Sequence, residues 1–183
     1  MKKGIYFVFA MALLFTCSSA FSQPFVMVMK AIDGTTKLNG GSTVPGHTGE
    51  IDIWSYSQGE NFCPSCAKPA VSDYNMMTSF NASTISFKKL LLNVKKLTSV
   101  DVAYIKQGTT PFTFFKIHME GVLVSSEQES GSQGGDSAPT VSISLTADRI
   151  AWQQIAQKSD GTSGVKTTYG WDVVNNVEWL FTF

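Results

Sequence analysis

Apolar and polar side chains alternate with a two-residue period through much of this sequence. Val141, Ile143, Leu145 and Ala147 alternate with Ser142, Ser144 and Thr146, the pattern of a strand with one buried and one wet face. Val100, Val102 and Tyr104 repeat it against Asp101 and Ala103, and Ile51 and Ile53 oppose Asp52, Trp54 and Tyr56. Residues 25–31 form an apolar run rich in β formers and predict the first strand. Residues 112–125 predict a long strand with apolar side chains on both faces, and Gly121 inside it predicts a bulge or bend. Residues 76–86 read as a further strand. Residues 167–174 and 177–183 flank Asn175-Asn176 in a hairpin pattern.

One stretch has the other period. In residues 87–98, Leu90, Leu91, Val94 and Leu97 fall at helical spacing, with Lys88, Lys89, Lys95 and Lys96 on the opposite side. Loops are expected where glycine and proline collect: residues 34–49, with five glycines and Pro45; residues 58–74, where Gly59, Pro64 and Pro69 interrupt regular structure; and the polar residues 127–139. Roughly seven to nine strands and one helix place the chain in the mainly β class, as a two-sheet β-barrel or sandwich with one flanking α-helix.

Length and composition narrow the possibilities. A chain of 183 residues suits one domain with a sizeable core. The aromatic share of 12% is high and the charged share of 15% is low, as expected where side chains pack on pleated surfaces. Lys2 and Lys3 precede an uncharged apolar run over residues 5–15, followed by small and polar residues 16–20. This is the pattern of a secretory signal peptide, and the run is too short to be a permanent membrane anchor. Cleavage after Ser22 gives a signal segment 1–22 and a single domain 23–183. Cleavage after Ala20 is the close alternative, and Phe15 and Thr16 are bulky for a lipid attachment at Cys17. The mature chain then carries 12 basic against 14 acidic side chains, which offers no positive excess for nucleic acid. No later apolar stretch is long enough to span a bilayer, so a secreted or periplasmic location without stable membrane insertion is expected.

Cys63-Pro64-Ser65-Cys66 is the most suggestive chemical motif. A thiol oxidoreductase would hold its first cysteine at a helix N-terminus, whereas Pro64 and Pro69 suggest a loop. Zinc needs four ligands, and His47 is the obvious third. An oxidising compartment favours a structural disulfide between Cys63 and Cys66. His118, beside Lys116 and Glu120 on one strand face, lacks a nucleophile pattern around it. No nucleophile elbow, phosphate loop or metal-protease helix is present, so neither catalysis nor a cofactor is expected. Asp148 and Arg149 read as a solvated ion pair. Asn81-Ala82-Ser83 matches a glycosylation acceptor.

The order of these segments resembles the haemolysin-coregulated protein (Hcp) family. Ile32, Asp33, Gly34, Gly46, His47, Glu50, Ile51 and Trp54 match its opening turn, its Gly-rich loop with a Gly-His pair and acidic position, and the strand that follows. Ile117, Glu120, Val122, Val124, Ser125 and Ser126 match its central strand. Residues 139–152 are similar to the next strand, and Gly170-Trp171-Asp172 to the closing pattern. The resemblance implies homo-hexameric rings that stack into the tube of a type VI secretion system. The implied partners are further copies of the chain, secretion-machine components and effector cargo. Two features depart from the family: a signal peptide, since its tube subunits are generally cytoplasmic, and the Cys63/Cys66 pair. The alternatives are a stand-alone secreted binding module on the same fold and a periplasmic thiol-disulfide protein using Cys63 and Cys66.

Overall fold

The computed structural model describes residues 25–183 except 66, 67, 109 and 135–137. The expected signal segment therefore lies outside the described residues. In chain order the elements are β1 (Val26–Asp33), β2 (Thr36–Lys37), β3 (Ile51–Ile53), β4 (Ser55–Ser57), β5 (Glu60–Cys63), β6 (Lys68–Val71), β7 (Tyr74–Ser79), α1 (Ala82–Leu92), β8 (Leu97–Lys106), β9 (Phe112–Ser130), β10 (Thr140–Thr146), β11 (Arg149–Gln157), β12 (Ser163–Asp172) and β13 (Val177–Glu178). The expected class holds: mainly β with one flanking helix. Eleven strands join in one continuous sheet bent into two halves around a single core, and β5 and β6 form a separate hairpin.

Strand β9 organises both halves. Its first part lies between β8 and β11, with Ile117 opposite Val102 on one side and Trp152 on the other. Its second part pairs with β10, where Glu127 is opposite Ile143. Between the two parts is Gly121 at φ 60°, where a Cβ would collide with the Asp148 carboxylate. Only glycine meets both demands, so the bend predicted there is the corner at which one strand passes from one half to the other. The segment β3–β4 serves both halves too, β3 pairing with β1 and β4 with β7. The alternating positions read from the sequence, Val100 and Val102, Val141, Ile143 and Leu145, and Ile51 and Ile53, all enter the shared core.

The strand expected over residues 177–183 shortens to Val177–Glu178, β2 forms within the loop expected over residues 34–49, and four further expectations fail for identifiable reasons. The strand expected over residues 76–86 ends at Ser79, because Asn81 caps a helix that starts at Ala82 rather than at residue 87. The Asn81 side chain accepts the Ser83 N–H at 2.8 Å, and the Thr84 hydroxyl accepts the Asn81 N–H at 3.2 Å. The helix then stops at Leu92. Val94 adopts φ 52°, and Leu97 belongs to β8 instead of completing a helical stripe. The loop expected over residues 58–74 contains the β5–β6 hairpin. Pro69 is tolerated there because a two-stranded ribbon has free edges that need no N–H. The loop expected over residues 127–139 is shortened, since β9 continues to Ser130 wherever β10 supplies partners and Lys88 bridges Glu127 and Glu129.

Candidate functional site

The apolar side chains expected on both faces of residues 112–125 are largely covered by the fold itself. Phe112, Ile117, Met119, Val122 and Val124 are all buried within the subunit. A bulge between Tyr104 and Ile105 leaves Phe114 without a partner on β8 and turns it, with Phe115, toward Tyr104 at ring distances of 6.3 and 5.2 Å. Exposed apolar side chains are scattered elsewhere, Phe62, Val174 and Leu180 among them, and two groups form continuous patches.

The first is an aromatic cleft of about 670 Å³ between the β11–β12 half of the sheet and the β5–β6 hairpin. Register sets Trp152 opposite Tyr169, and Trp171 follows two residues along the same face. Their ring centroids are 6.3 and 6.4 Å apart, with planes within 13° and 23° of each other. Tyr56, stacked on Tyr74 at 5.7 Å, and Phe115 add further rings, and Pro69, Ala70 and Val71 form the hairpin wall. Polar groups are few. Trp152 Nε1 donates to Gln58 Oε1 at 3.2 Å, and the Gln58 amide donates to Glu60 Oε1 at 2.9 Å. Tyr169 remains about half exposed.

The second is the outer ridge of α1. Phe87 and Leu90 face the core, whereas Ile85, Leu92 and Val94 are 57%, 81% and 75% exposed. Ile85 and Leu92 are seven residues apart and so lie on one face, with the exposed Lys89 between them. A β-branched residue at positive φ, as at Val94, is strained and persists only where its surroundings hold it.

The opposite face of the sheet is polar and is strapped by the C-terminal residues. The Trp179 N–H donates to the Gly170 carbonyl at 2.9 Å, and Gly170 must lack a Cβ because that carbon would strike the Trp179 carbonyl oxygen. Phe181 then stacks on His118 at 4.2 Å with planes 9° apart, and the Arg149 guanidinium lies 5.7 Å from the Trp179 ring. His118 Nδ1 is 2.6 Å from Asp101, and its Nε2 is 3.6 Å from Glu120. Burial opposes charge on this imidazole, but the hydrogen bond and charge of Asp101, with Glu120, outweigh it and raise its pKa.

Both histidines singled out from the sequence line one recess of about 360 Å³ with Phe181 and Phe183, a meeting the sequence did not signal. His47 is engaged by Glu50 at 2.8 Å. Among the described residues no group of three or more His, Cys, Asp or Glu side chains could hold a metal ion. Cys63 ends β5 opposite Lys68, and Cys66 lies outside the described residues. The Asp148–Arg149 pair expected from adjacency does not form. Asp148 takes Lys96 at 2.7 Å, and Arg149 reaches Asp172 at 3.0 Å and Glu120 at 3.5 Å across the sheet. Of the four lysines assigned to the helix face, Lys95 and Lys96 lie beyond α1, and Lys95 pairs with Asp33 at 2.9 Å. The cleft went unread because its rings come from strands far apart in sequence. No helix among the described residues is long and apolar enough to cross a membrane.

Solved structures share this fold. A type six secretion system protein superposes with a TM-score of 0.76 at 20% identity, covering 85% of this chain and 99% of that one. Hcp1 from Salmonella typhimurium gives 0.71 at 20% identity over 85% and 99% of the two chains. A type VI secretion system effector from Yersinia pestis gives 0.65 at 20% identity over 80% and 99%. A comparison with curated proteins yields no match. Residues 29–154, more than half of the sequence, match the family model for the type VI secretion system effector Hcp, and the chain belongs to that family.

Proposed function

We propose that this Hcp-family chain is exported after cleavage near Ser22 and works as a ring-forming structural subunit: a homo-hexamer whose rings stack into a tube. The family match over residues 29–154 carries the reading. The aromatic cleft and the α1 ridge support it, since a closed ring of identical subunits needs two different, complementary patches on each. The reading is structural: the subunit performs no catalysis and needs no cofactor, and cargo or other secretion components would meet the assembled ring. Cys63 and Cys66 close the β5–β6 turn as a disulfide, a pairing favoured by the short connection between the two strands.

Size exclusion with light scattering tests the assembly, with a mass six times that of one mature subunit expected. A clean monomer at high micromolar concentration overturns it and leaves the stand-alone module. N-terminal sequencing of envelope or medium protein should begin at Gln23 or, failing that, Phe21. Intact Met1 on cytoplasmic protein overturns export.

A further inference from the structure

We infer that the aromatic cleft of one subunit receives the exposed α1 ridge of a second copy, with Lys89 of the ridge set against Glu60 at the cleft rim. This rests on the ring-forming reading and names the surfaces that would make the ring.

The cleft suits such an occupant. It is large enough for several side chains and is lined mainly by apolar and aromatic groups, with the hairpin residues Pro69, Ala70 and Val71 as one wall. Among the described residues its one charged lining group is Glu60, which is exposed and whose carboxylate is bonded only to the Gln58 amide. A carboxylate beside electron-rich Trp and Tyr faces favours a cation carried on an apolar stem. The ridge presents that combination. Ile85 and Leu92 stand two helical turns apart and Val94 follows, all exposed. Lys88, Lys95 and Lys96 are held by acidic partners, whereas Lys89 forms no ion pair among the described residues. A helix laid by one face into an apolar groove is an established recognition mode.

The two patches do not fill each other within one subunit. The helix is tied through Lys88 to Glu127 and Glu129, in the second part of β9, whereas the cleft lies on Phe115 and Ile117 in the first part. About ten residues of β9, with the corner at Gly121 among them, separate the two along the strand. The ridge of one copy therefore meets the cleft of the next, a head-to-tail contact of the kind that closes into a ring.

The test is charge reversal and its repair in the mature protein. Glu60→Lys and Lys89→Glu each place like charges together at the contact, and each should weaken assembly at least tenfold by light scattering across a concentration series. The double variant restores opposite charges and should recover most of the wild-type mass. Leu92→Ser, at a side chain already exposed in the subunit, should leave circular dichroism and subunit stability unchanged while weakening assembly by a similar factor. Single variants that assemble as well as wild type overturn the inference and leave the ring reading standing. A double variant that fails to recover overturns the pairing. A monomeric wild type overturns the ring reading itself, and this inference with it.

Discussion

The phenolic hydroxyls of Tyr74 and Tyr104 meet 3.1 Å apart in the core, joining β7 in one half of the sheet to β8 in the other. Burial pushes both phenols above the ordinary tyrosine range, so the pair stays protonated. Tyr104→Phe leaves the Tyr74 hydroxyl without this partner and should cost about 1–3 kcal/mol. Replacing both tyrosines by Phe removes the polar atoms together and should cost clearly less than the sum of the single changes. Urea unfolding of the four proteins measures the coupling, and strict additivity would contradict it.

Gly121→Ala should destabilise by about 1–3 kcal/mol, from the positive φ alone. Displacement of Asp148, and with it the Lys96 pair, adds to this. Gly161 also has positive φ, but a Cβ added there would meet nothing within 4 Å, so the same change at Gly161 isolates the backbone effect. A smaller loss at Gly161 than at Gly121 is the expected result of the thermal melts.

Asn81→Ala should cost about 1 kcal/mol by removing the acceptor for the Ser83 N–H at the start of α1. Asn81→Asp should recover most of the loss. A loss equally large with Asp would assign a different role to this side chain.

His118 should make stability fall with rising pH. Its pKa is raised in the folded state, so its contribution is fully present below the ordinary value of 6.5 and disappears as pH climbs through the folded value. Chemical denaturation at a series of pH values from mildly acidic to alkaline should show the decline, and His118→Gln should flatten it. Trp179 emission follows the same titration, because the ring lies 6.1 Å from His118 in the C-terminal strap.

Replacing Cys63 and Cys66 together by Ser should lower stability by about 2 kcal/mol, since so short a loop removes little chain entropy from the unfolded state. Assembly should survive. Non-reduced peptide mass spectrometry should find the two cysteines linked, and free thiols in envelope protein would refute the staple.

Much of the fold was legible because a half-buried strand writes its burial into every second residue. Val141, Ile143 and Leu145 show this, and so does Gly121, whose place inside an apolar run announced the corner. The helix was misplaced because Leu90, Leu91, Val94 and Leu97 keep helical spacing across the point where the helix ends. The decisive signal was Asn81 with Thr84, a cap that also matches a glycosylation acceptor. The β5–β6 hairpin was hidden by Pro69, which excludes a central strand but not a free ribbon. The cleft had no local signature at all. Tyr56, Trp152 and Trp171 come to line one cleft only through the pairing of β4 with β7 and of β11 with β12, and no spacing rule encodes that.

Because β9 is one nineteen-residue strand whose first part pairs with β8 and β11 and whose second part pairs with β10, opening of either half strains the strand that the other half holds. Slowly exchanging amides should therefore run without a break from β8 through β9 to β10 and be released together, as one cooperative unit. A subunit built this way withstands pulling or local heating as a whole, and a nick inside β9 would disable both halves at once.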